Sequence, residues 1–433
     1  MTRGKTPGSP ETIRPGLERI LAAFEMSGHP ERTFRTLHIA GTNGKGSTAS
    51  FLASILMRLR AGSVGLYTSP HLVSPEERIR VDGEKITRDA LRRALRKASG
   101  FSKTLNASPR PGALSYFEEM TWAACDWFRR RSAGTVVMEA GLGGRWDATN
   151  ACLSDVSIVT TVGIDHREWL GKTIREIAAE KAGIFRPGIP VVLGRLKAPA
   201  RAVAVRRARE LRATVWELGR DFGWEDSGDG GIRIRLPGAF LRPARLGMRG
   251  EFQRDNAAVA CAAAWLWAST RRISAKAFQG AASAGLAGAR WPGRFSPLPG
   301  RRNSGAWVDG AHNPEAAKAL ARELSVFRSG ERDARIIALW SMLRDKDASG
   351  FLGELAGVVD GWVAFPMDHE RAASLAELTA DLGRRKMPFL AADGFLAGWD
   401  VARRWAGAGG MVIVCGSLVA VGEAFRHRVG EVP

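Results

Sequence analysis

A chain of 433 residues, 45% hydrophobic and 25% charged, has the composition of a globular protein and is long enough for two or three domains. No apolar run reaches the ~18–20 residues that span a bilayer, the first ten residues are polar and Pro/Gly-rich rather than signal-like, and Cys125, Cys152, Cys261 and Cys415 have neither zinc nor disulfide spacing; a cytoplasmic protein with no membrane partner is expected. The net charge of +20 comes largely from arginine, 52 of 64 basic residues, dispersed without an aromatic-interleaved basic tract, so it reads as a compositional bias with some pull on anionic substrates rather than as a nucleic-acid surface.

The first strand-like run, residues 36–40, leads into Gly41-Thr42-Asn43-Gly44-Lys45-Gly46-Ser47-Thr48 and then a helical pattern carrying Phe51, Leu52, Ile55, Leu56 and Leu59. Strand, glycine-rich turn and helix make a phosphate cradle: backbone N–H groups converge on oxygens, the helix N-terminus adds favourable partial charge, and lysine supplies a point charge. The common pattern has glycine six residues before the lysine and a hydroxyl directly after it. Here Ile39 and Gly46 occupy those places. A ligand-free glycine turn is the plainer alternative.

Further strand-like runs follow at 64–67, 135–140, 156–162 and 190–193, alternating with helical patterns and too apolar to be half-exposed, which suits a parallel sheet covered on both faces. Residues 216–246 read as a small antiparallel excursion, and 256–269 as an Ala-rich helix. A Pro/Gly-dense stretch from Trp291 to Gly300 marks a linker. A second alternation has strands at 306–308, 335–340, 362–365 and 411–415. The expected architecture is α/β: a P-loop-type, mostly parallel-sheet ATPase domain over 1–294, then a smaller Rossmann-like domain over 295–433.

Several strand ends carry chemistry, where open α/β sheets place ligands. Tyr67-Thr68-Ser69-Pro70-His71-Leu72 offers Ser69 to a metal and His71 to a substrate, or is an ordinary proline turn. Glu139, ending a buried run and followed by Gly141, Gly143 and Gly144, needs a cation, and magnesium accepts carboxylate and hydroxyl oxygens. His166, after Asp165, is a metal ligand or merely hydrogen-bonded. Lys181 reads from spacing alone as a surface ion-pair residue; near a metal its neutral amine would take up carbon dioxide as a carbamate, which burial favours.

Eight motifs in order complete the pattern: the phosphate loop, Ser69–Leu72, Tyr116-Phe117-Glu118, the stretch from Glu139 to Asn150, Asp165-His166, the stretch from Glu180 to Ile184, Trp291-Pro292-Gly293-Arg294, and Asp309-Gly310-Ala311-His312-Asn313-Pro314. Together, over roughly residues 13–420, they resemble the folylpolyglutamate synthase/dihydrofolate synthase family of the Mur ligase superfamily. The resemblance implies an ATP-dependent ligase that joins a pteroate or folate carboxylate to L-glutamate through an acyl phosphate, releasing ADP and phosphate. By matching positions it implies that Gly44, Lys45, Gly46 and Ser47 hold the ATP phosphates, with Asn256 (after Gln253) and His312 near the nucleotide. Arg294 would reach the phosphates and Asp309 the ribose. It assigns Ser69, Glu139 and His166 to magnesium, with two ions expected, and a carbamate to Lys181, leaving Lys45, Lys181, His166 and Arg294 to carry catalysis. Ser115, Tyr116, Phe117, Glu118, Trp146, Asp147 and Ala148 would line the pterin pocket, and Asp345-Lys346-Asp347 with Arg371 would stand nearer glutamate.

Three positions depart from the family pattern: Trp146 replaces leucine, Glu251-Phe252-Gln253 replaces Arg-His-Gln, and Ile13-Arg14-Pro15 stands where many dihydropteroate-using members carry an acid. A cell-wall ligase would need an added N-terminal substrate domain, for which residues before 41 leave no room. The reading from another class is a basic P-loop hydrolase acting on nucleic acid, which gives no reason for Glu139, His166 and Lys181 to occur together. Small-molecule substrates and a monomer are expected.

Overall fold

A computed structural model describes residues 15–60, 62–107, 112–228, 230–298, 305–330 and 334–427. The Ile13-Arg14 departure and the last linker residues lie outside them. The chain divides into two compact units: residues 1–247 with 253–290, and residues 248–252 with 291–433.

The first unit is built on an eight-stranded sheet. Its strands are β1 (Arg35–Ala40), β2 (Ser63–Tyr67), β3 (Ile79–Val81), β4 (Glu84–Lys85), β5 (Ala133–Glu139), β6 (Ser154–Val159), β7 (Val191–Leu193) and β8 (Val215–Glu217), in the order β4-β3-β2-β5-β1-β6-β7-β8. From β2 to β8 every pairing is parallel; β3 and β4 add an antiparallel edge. β1 has five consecutive buried residues, as a strand covered on both faces requires. The order doubles back beside β1, which puts the carboxyl ends of β1, β5 and β2 side by side.

The helices of this unit are α1 (Glu18–Met26), α2 (Lys45–Arg58), α3 (Arg88–Asn106), α4 (Tyr116–Arg130), α5 (Arg167–Leu170), α6 (Ile174–Lys181), α7 (Ala198–Glu210), α8 (Phe252–Ser269) and α9 (Ala275–Gly288). α2 is buried nearly all round because α9 lies against it: a Cβ on Gly285 would sit 2.7 Å from the Ile55 Cα. α1, α3 and α4 enclose a core with Phe24, Trp122 and Phe128; α6 and α7 enclose another with Ile177, Phe185 and Val203. A separate antiparallel sheet consists of β9 (Gly223–Asp226), β10 (Ile232–Leu236) and β11 (Ala239–Ala244). The antiparallel excursion is therefore present but begins later than expected, since residues 215–217 extend the parallel sheet.

The second unit holds β12 (Ser296–Pro297), β13 (Ala306–Val308), β14 (Ile336–Trp340), β15 (Gly361–Ala364), β16 (Phe389–Ala391) and β17 (Met411–Cys415), ordered β12-β13-β17-β14-β15-β16. All pairs are parallel except β12 with β13. Between the strands run α10 (Pro314–Gly330), α11 (Ala348–Leu355), α12 (Leu375–Arg384) and α13 (Phe395–Ala406), and α14 (Leu418–Arg426) follows β17. The core gathers Trp340, Trp362, Phe351 and Ile413, with Phe252 packed against it. Both units are the α/β folds expected. Among the described residues no helix is long and apolar enough to cross a membrane.

Candidate active site

At the end of β1 the chain turns through residues 41–44 into α2. Gly44 takes φ +86°, and a Cβ there would meet the Asn256 side-chain oxygen at 2.4 Å. A Cβ on Gly41 would collide with the Thr160 hydroxyl. Both positions therefore demand glycine, one for conformation and closeness together, the other for closeness. The loop is tied to the segment after β6: Thr42 N–H donates to the Thr161 carbonyl (2.9 Å), Asn43 N–H to Thr161 Oγ1 (2.9 Å), and Thr160 Oγ1 to the Asn43 carbonyl (2.6 Å). Lys45 Nζ folds back to donate to the Gly41 carbonyl at 3.0 Å.

The start of α8 completes this cradle. Gln253 Nε2 donates to Ser47 Oγ at 3.2 Å, Thr48 Oγ1 to Asn256 Oδ1 at 3.4 Å, and Asn256 Nδ2 to Gln253 Oε1 at 3.0 Å. The structure thus brings Gly44, Lys45, Gly46, Ser47 and Asn256 together. Thr160, Thr161 and the depth of Gln253's involvement were missed in the sequence. Their one signal was a hydroxyl pair at a strand's carboxyl end.

Glu139 closes β5 and is 3% exposed; its Oε2 accepts the Ser69 N–H at 3.1 Å, just past β2 and before the cis Ser69–Pro70 bond. A buried carboxylate beside a hydroxyl-bearing residue is an oxygen donor set suited to a hard divalent cation. Among the described residues no three His, Cys, Asp or Glu side chains gather as a metal cluster. His166 sits half-buried past β6 at φ +49°, its N–H bonded to Asp165 Oδ1 at 2.9 Å.

Lys181, the last residue of α6, is not on the surface: it is 3% exposed. Burial, reinforced by the Lys45 charge and opposed by Asp165, Asp147 and Glu180, pushes its ammonium down to about 7. Lysine at neutral pH is then partly an uncharged amine, the form that reacts with carbon dioxide. The glycine loop after Glu139 packs on this helix end, with Arg145 N–H donating to the Glu180 carbonyl at 2.9 Å.

The residues expected around a pterin divide into two groups. Tyr116 and Phe117 are half-buried on the first turn of α4, and Trp146 is 52% exposed. Phe117 lies 6.1 Å from the Tyr67 ring and against Gly141. By contrast Ser115 and Glu118 form the capping box of α4, and Glu118 also accepts Arg19 Nε at 3.0 Å. Asp147 accepts Leu142 N–H (2.8 Å), Thr149 N–H (3.0 Å) and Thr149 Oγ1 (2.5 Å), and burial raises its carboxyl. Ala148 is buried. Glu118 and Asp147 therefore spend hydrogen-bonding capacity on holding the loops.

In the second unit Asp309 follows β13 and accepts the Phe295 and Ala311 N–H groups, each at 2.7 Å. Burial raises its carboxyl against the opposing Arg294 charge. A Cβ on Gly310 would lie 3.0 Å from Arg294 Nη1, and His312 Nδ1 is 2.8 Å from the Gly310 carbonyl. Arg294, Asp309 and His312 are thus neighbours. Asp345 accepts from Arg371 at 2.6 Å, and Asp347 caps α11.

A glycine-rich strand-to-helix loop in one α/β unit, followed by a Rossmann-like unit, is an arrangement compatible with an ATP-dependent ligase of the Mur type, and residues 293–418 match the family described as Mur ligase, glutamate ligase domain. A curated relative from Escherichia coli (strain K12), dihydrofolate synthase/folylpolyglutamate synthase, is 34% identical over 422 residues, 96% of this chain and 92% of that protein. The chain belongs to the dihydrofolate synthase/folylpolyglutamate synthase family. The solved E. coli FolC in complex with DHPP and ADP has a TM-score of 0.85 at 33% identity, covering 97% of this chain and 94% of that one. A bifunctional folylpolyglutamate synthase/dihydrofolate synthase with Mn, AMPPNP and L-glutamate bound has a TM-score of 0.82 at 30% identity, covering 96% and 94%. These relatives give no support to a nucleic-acid hydrolase.

Proposed function

We propose that this enzyme ligates L-glutamate to a pterin-bearing acid, dihydropteroate or a reduced folate, with ATP converted to ADP and phosphate. The observation that carries the reading is the grouping in one unit of the Lys45 loop, the Ser69–Glu139 pair and the buried, partly neutral Lys181. Relatives whose structures hold ADP, DHPP or L-glutamate support it.

A carboxylate is too poor an electrophile for an amine. Its oxygen first attacks the γ-phosphorus of ATP, ADP leaves, and an acyl phosphate forms. The glutamate nitrogen then adds to the acyl carbon, loses a proton, and phosphate departs as the amide forms. Two anions meet in the first step, so positive charge and in-line positioning dominate its rate. The loop N–H groups and Lys45 bind the phosphates, Ser47 and Asn256 fix the loop, Arg294 adds charge to the phosphates, and Asp309 takes the ribose with His312 near the nucleotide. Ser69, Glu139 and His166 would hold magnesium, which supplies further charge neutralisation; two ions are proposed. Lys181 as a carbamate would turn a cation beside Lys45 into an anion. Tyr116, Phe117, Trp146 and Ala148 line the pterin site, with Ser115, Glu118 and Asp147 shaping it. The second unit, with Asp345 and Arg371, serves glutamate. A cytoplasmic monomer completes the reading.

Purified enzyme with ATP and magnesium is expected to release phosphate only when both a pteroate-type acid and L-glutamate are present. Release driven by polynucleotide, and indifferent to those two substrates, overturns it.

A further inference from the structure

Arg78 is a largely enclosed cation with no anionic partner among the described residues. It ends the short turn of residues 75–78 before β3 and is 8% exposed. Its backbone is fixed beside the candidate metal site, because Thr68 N–H donates to the Arg78 carbonyl at 3.0 Å and Ser69 is the next residue. Among the described residues its side chain has one hydrogen bond, from Nε to His71 Nδ1 at 2.9 Å, and its guanidinium carbon stands 6.0 Å from the centre of the Tyr116 ring. Among the described residues no carboxylate lies within ion-pair distance of it. The adjacent Glu77 is committed elsewhere, its oxygens accepting the N–H groups of Leu72, Val73 and Ser74 at 2.7–3.1 Å.

The two terminal nitrogens thus have no partner among the described residues, and they are not among the sealed, unpartnered polar atoms of the interior, so they open to solvent. A buried charge is costly unless it is paired, and a guanidinium presents a planar fork matched to a carboxylate.

We propose that Arg78 binds a carboxylate of the pterin-bearing acid and selects acids over neutral pterins. This rests on the ligase reading. Three features favour the acid over ATP. The phosphate loop follows β1, two strands from β2 in the sheet and so ~10 Å away at usual strand spacing. Tyr116, against which Arg78 lies, is on the candidate pterin wall. Ser69, whose neighbourhood fixes the Arg78 backbone, belongs to the centre where the acid must be activated. The carboxylate has two sources: the single reacting group of dihydropteroate, or the non-reacting α-carboxylate of a glutamylated folate.

The test compares wild type, Arg78→Gln and Arg78→Lys for equilibrium binding of dihydropteroate and of its decarboxylated analogue, followed by tryptophan fluorescence, with ATP KM and thermal midpoint in parallel. Wild type is expected to favour the acid by about 10- to 100-fold, the range of a charged hydrogen-bonded pair. Arg78→Gln is expected to bind both ligands alike, and Arg78→Lys to restore part of the preference, at unchanged ATP KM and midpoint. An acid preference left unchanged in Arg78→Gln on both dihydropteroate and monoglutamyl tetrahydrofolate, or a raised ATP KM in place of a lost preference, overturns the assignment. Should Arg78→Gln not fold, Arg78→Lys decides by the same ratio. Repeating the panel with monoglutamyl tetrahydrofolate separates the sources: loss on both acids marks the reacting carboxylate, loss on the glutamylated acid alone the α-carboxylate. If wild type binds neither acid, the ligase reading itself fails.

Discussion

Lys181 shows how a single side chain can oppose folding. Its ammonium is pushed from 10.5 to about 7, by burial first and Lys45 second. Between those values the unfolded chain binds the proton that the native chain has released, so stability rises with pH across this window. Below about pH 7 both states are protonated and the penalty for burying the charge is complete. Lys181→Met is therefore expected to be more stable than wild type at pH 6–7 in carbonate-free buffer, with the gap closing toward pH 10, as read by denaturant unfolding. The same variant is expected to lose most ligase activity, and added bicarbonate is expected not to restore it. Gly44 is the converse case. Gly44→Ala places a side chain at φ +86° and against Asn256, so it is expected to cost ~1–2 kcal/mol in strain and to weaken ATP binding at least tenfold in equilibrium nucleotide titration.

At the scale of elements, the first turn of α4 is held from below by a buried ion pair. The Arg19 and Glu118 side chains are both almost wholly enclosed, and Glu118 also accepts the Ser115 N–H at 2.7 Å. Removing one partner of such a pair costs about 3–5 kcal/mol; because Arg19 also reaches Glu18 and the Gly16 carbonyl, Glu118→Ala is expected near the lower figure by denaturant unfolding. Since Tyr116 and Phe117 ride on that turn, the same variant is expected to raise KM for the pterin acid more than KM for ATP. The Ser115–Glu118 capping box went unread in the sequence, where the family resemblance placed both residues at the pterin. The phosphate loop was legible because its glycines, lysine and flanking periodicities are contiguous. The β3–β4 hairpin was not, although Asp82-Gly83 is a turn signal, because strands of three and two residues show no period. Nor was Arg78: an isolated arginine is ordinarily exposed, and only the packing reveals that this one is enclosed.

For the whole molecule, many arginines are held in dispersed ion pairs, such as Arg129 and Arg130 with Asp126, Arg195 with Asp255, and Arg328 with Asp360, and a net charge of +20 remains. A dispersed excess of this kind gives weak, unspecific attraction to polyanions. DNA binding is expected to disappear between about 50 and 200 mM salt in a filter assay, and DNA is expected not to raise phosphate release at any salt concentration. The order of the alternating elements was readable along the chain. The detour by which residues 248–252 belong with the second unit was not, since nothing in their composition sets them apart.

The hydrogen bonds from Gln253 to Ser47 and from Thr48 to Asn256 span 206 and 208 residues of sequence. They impose a timetable on synthesis. The glycine loop leaves the ribosome early, yet the helix that braces it arrives only when more than half of the chain has been made. Long-range closures of this kind are slow to form and leave intermediate states exposed. Nascent chains arrested before residue 250 are expected to be unable to retain nucleotide and to be cut by protease in the loop, whereas chains arrested well past residue 290 acquire protection there. Competence for ATP is thus deferred until the bracing helix has emerged.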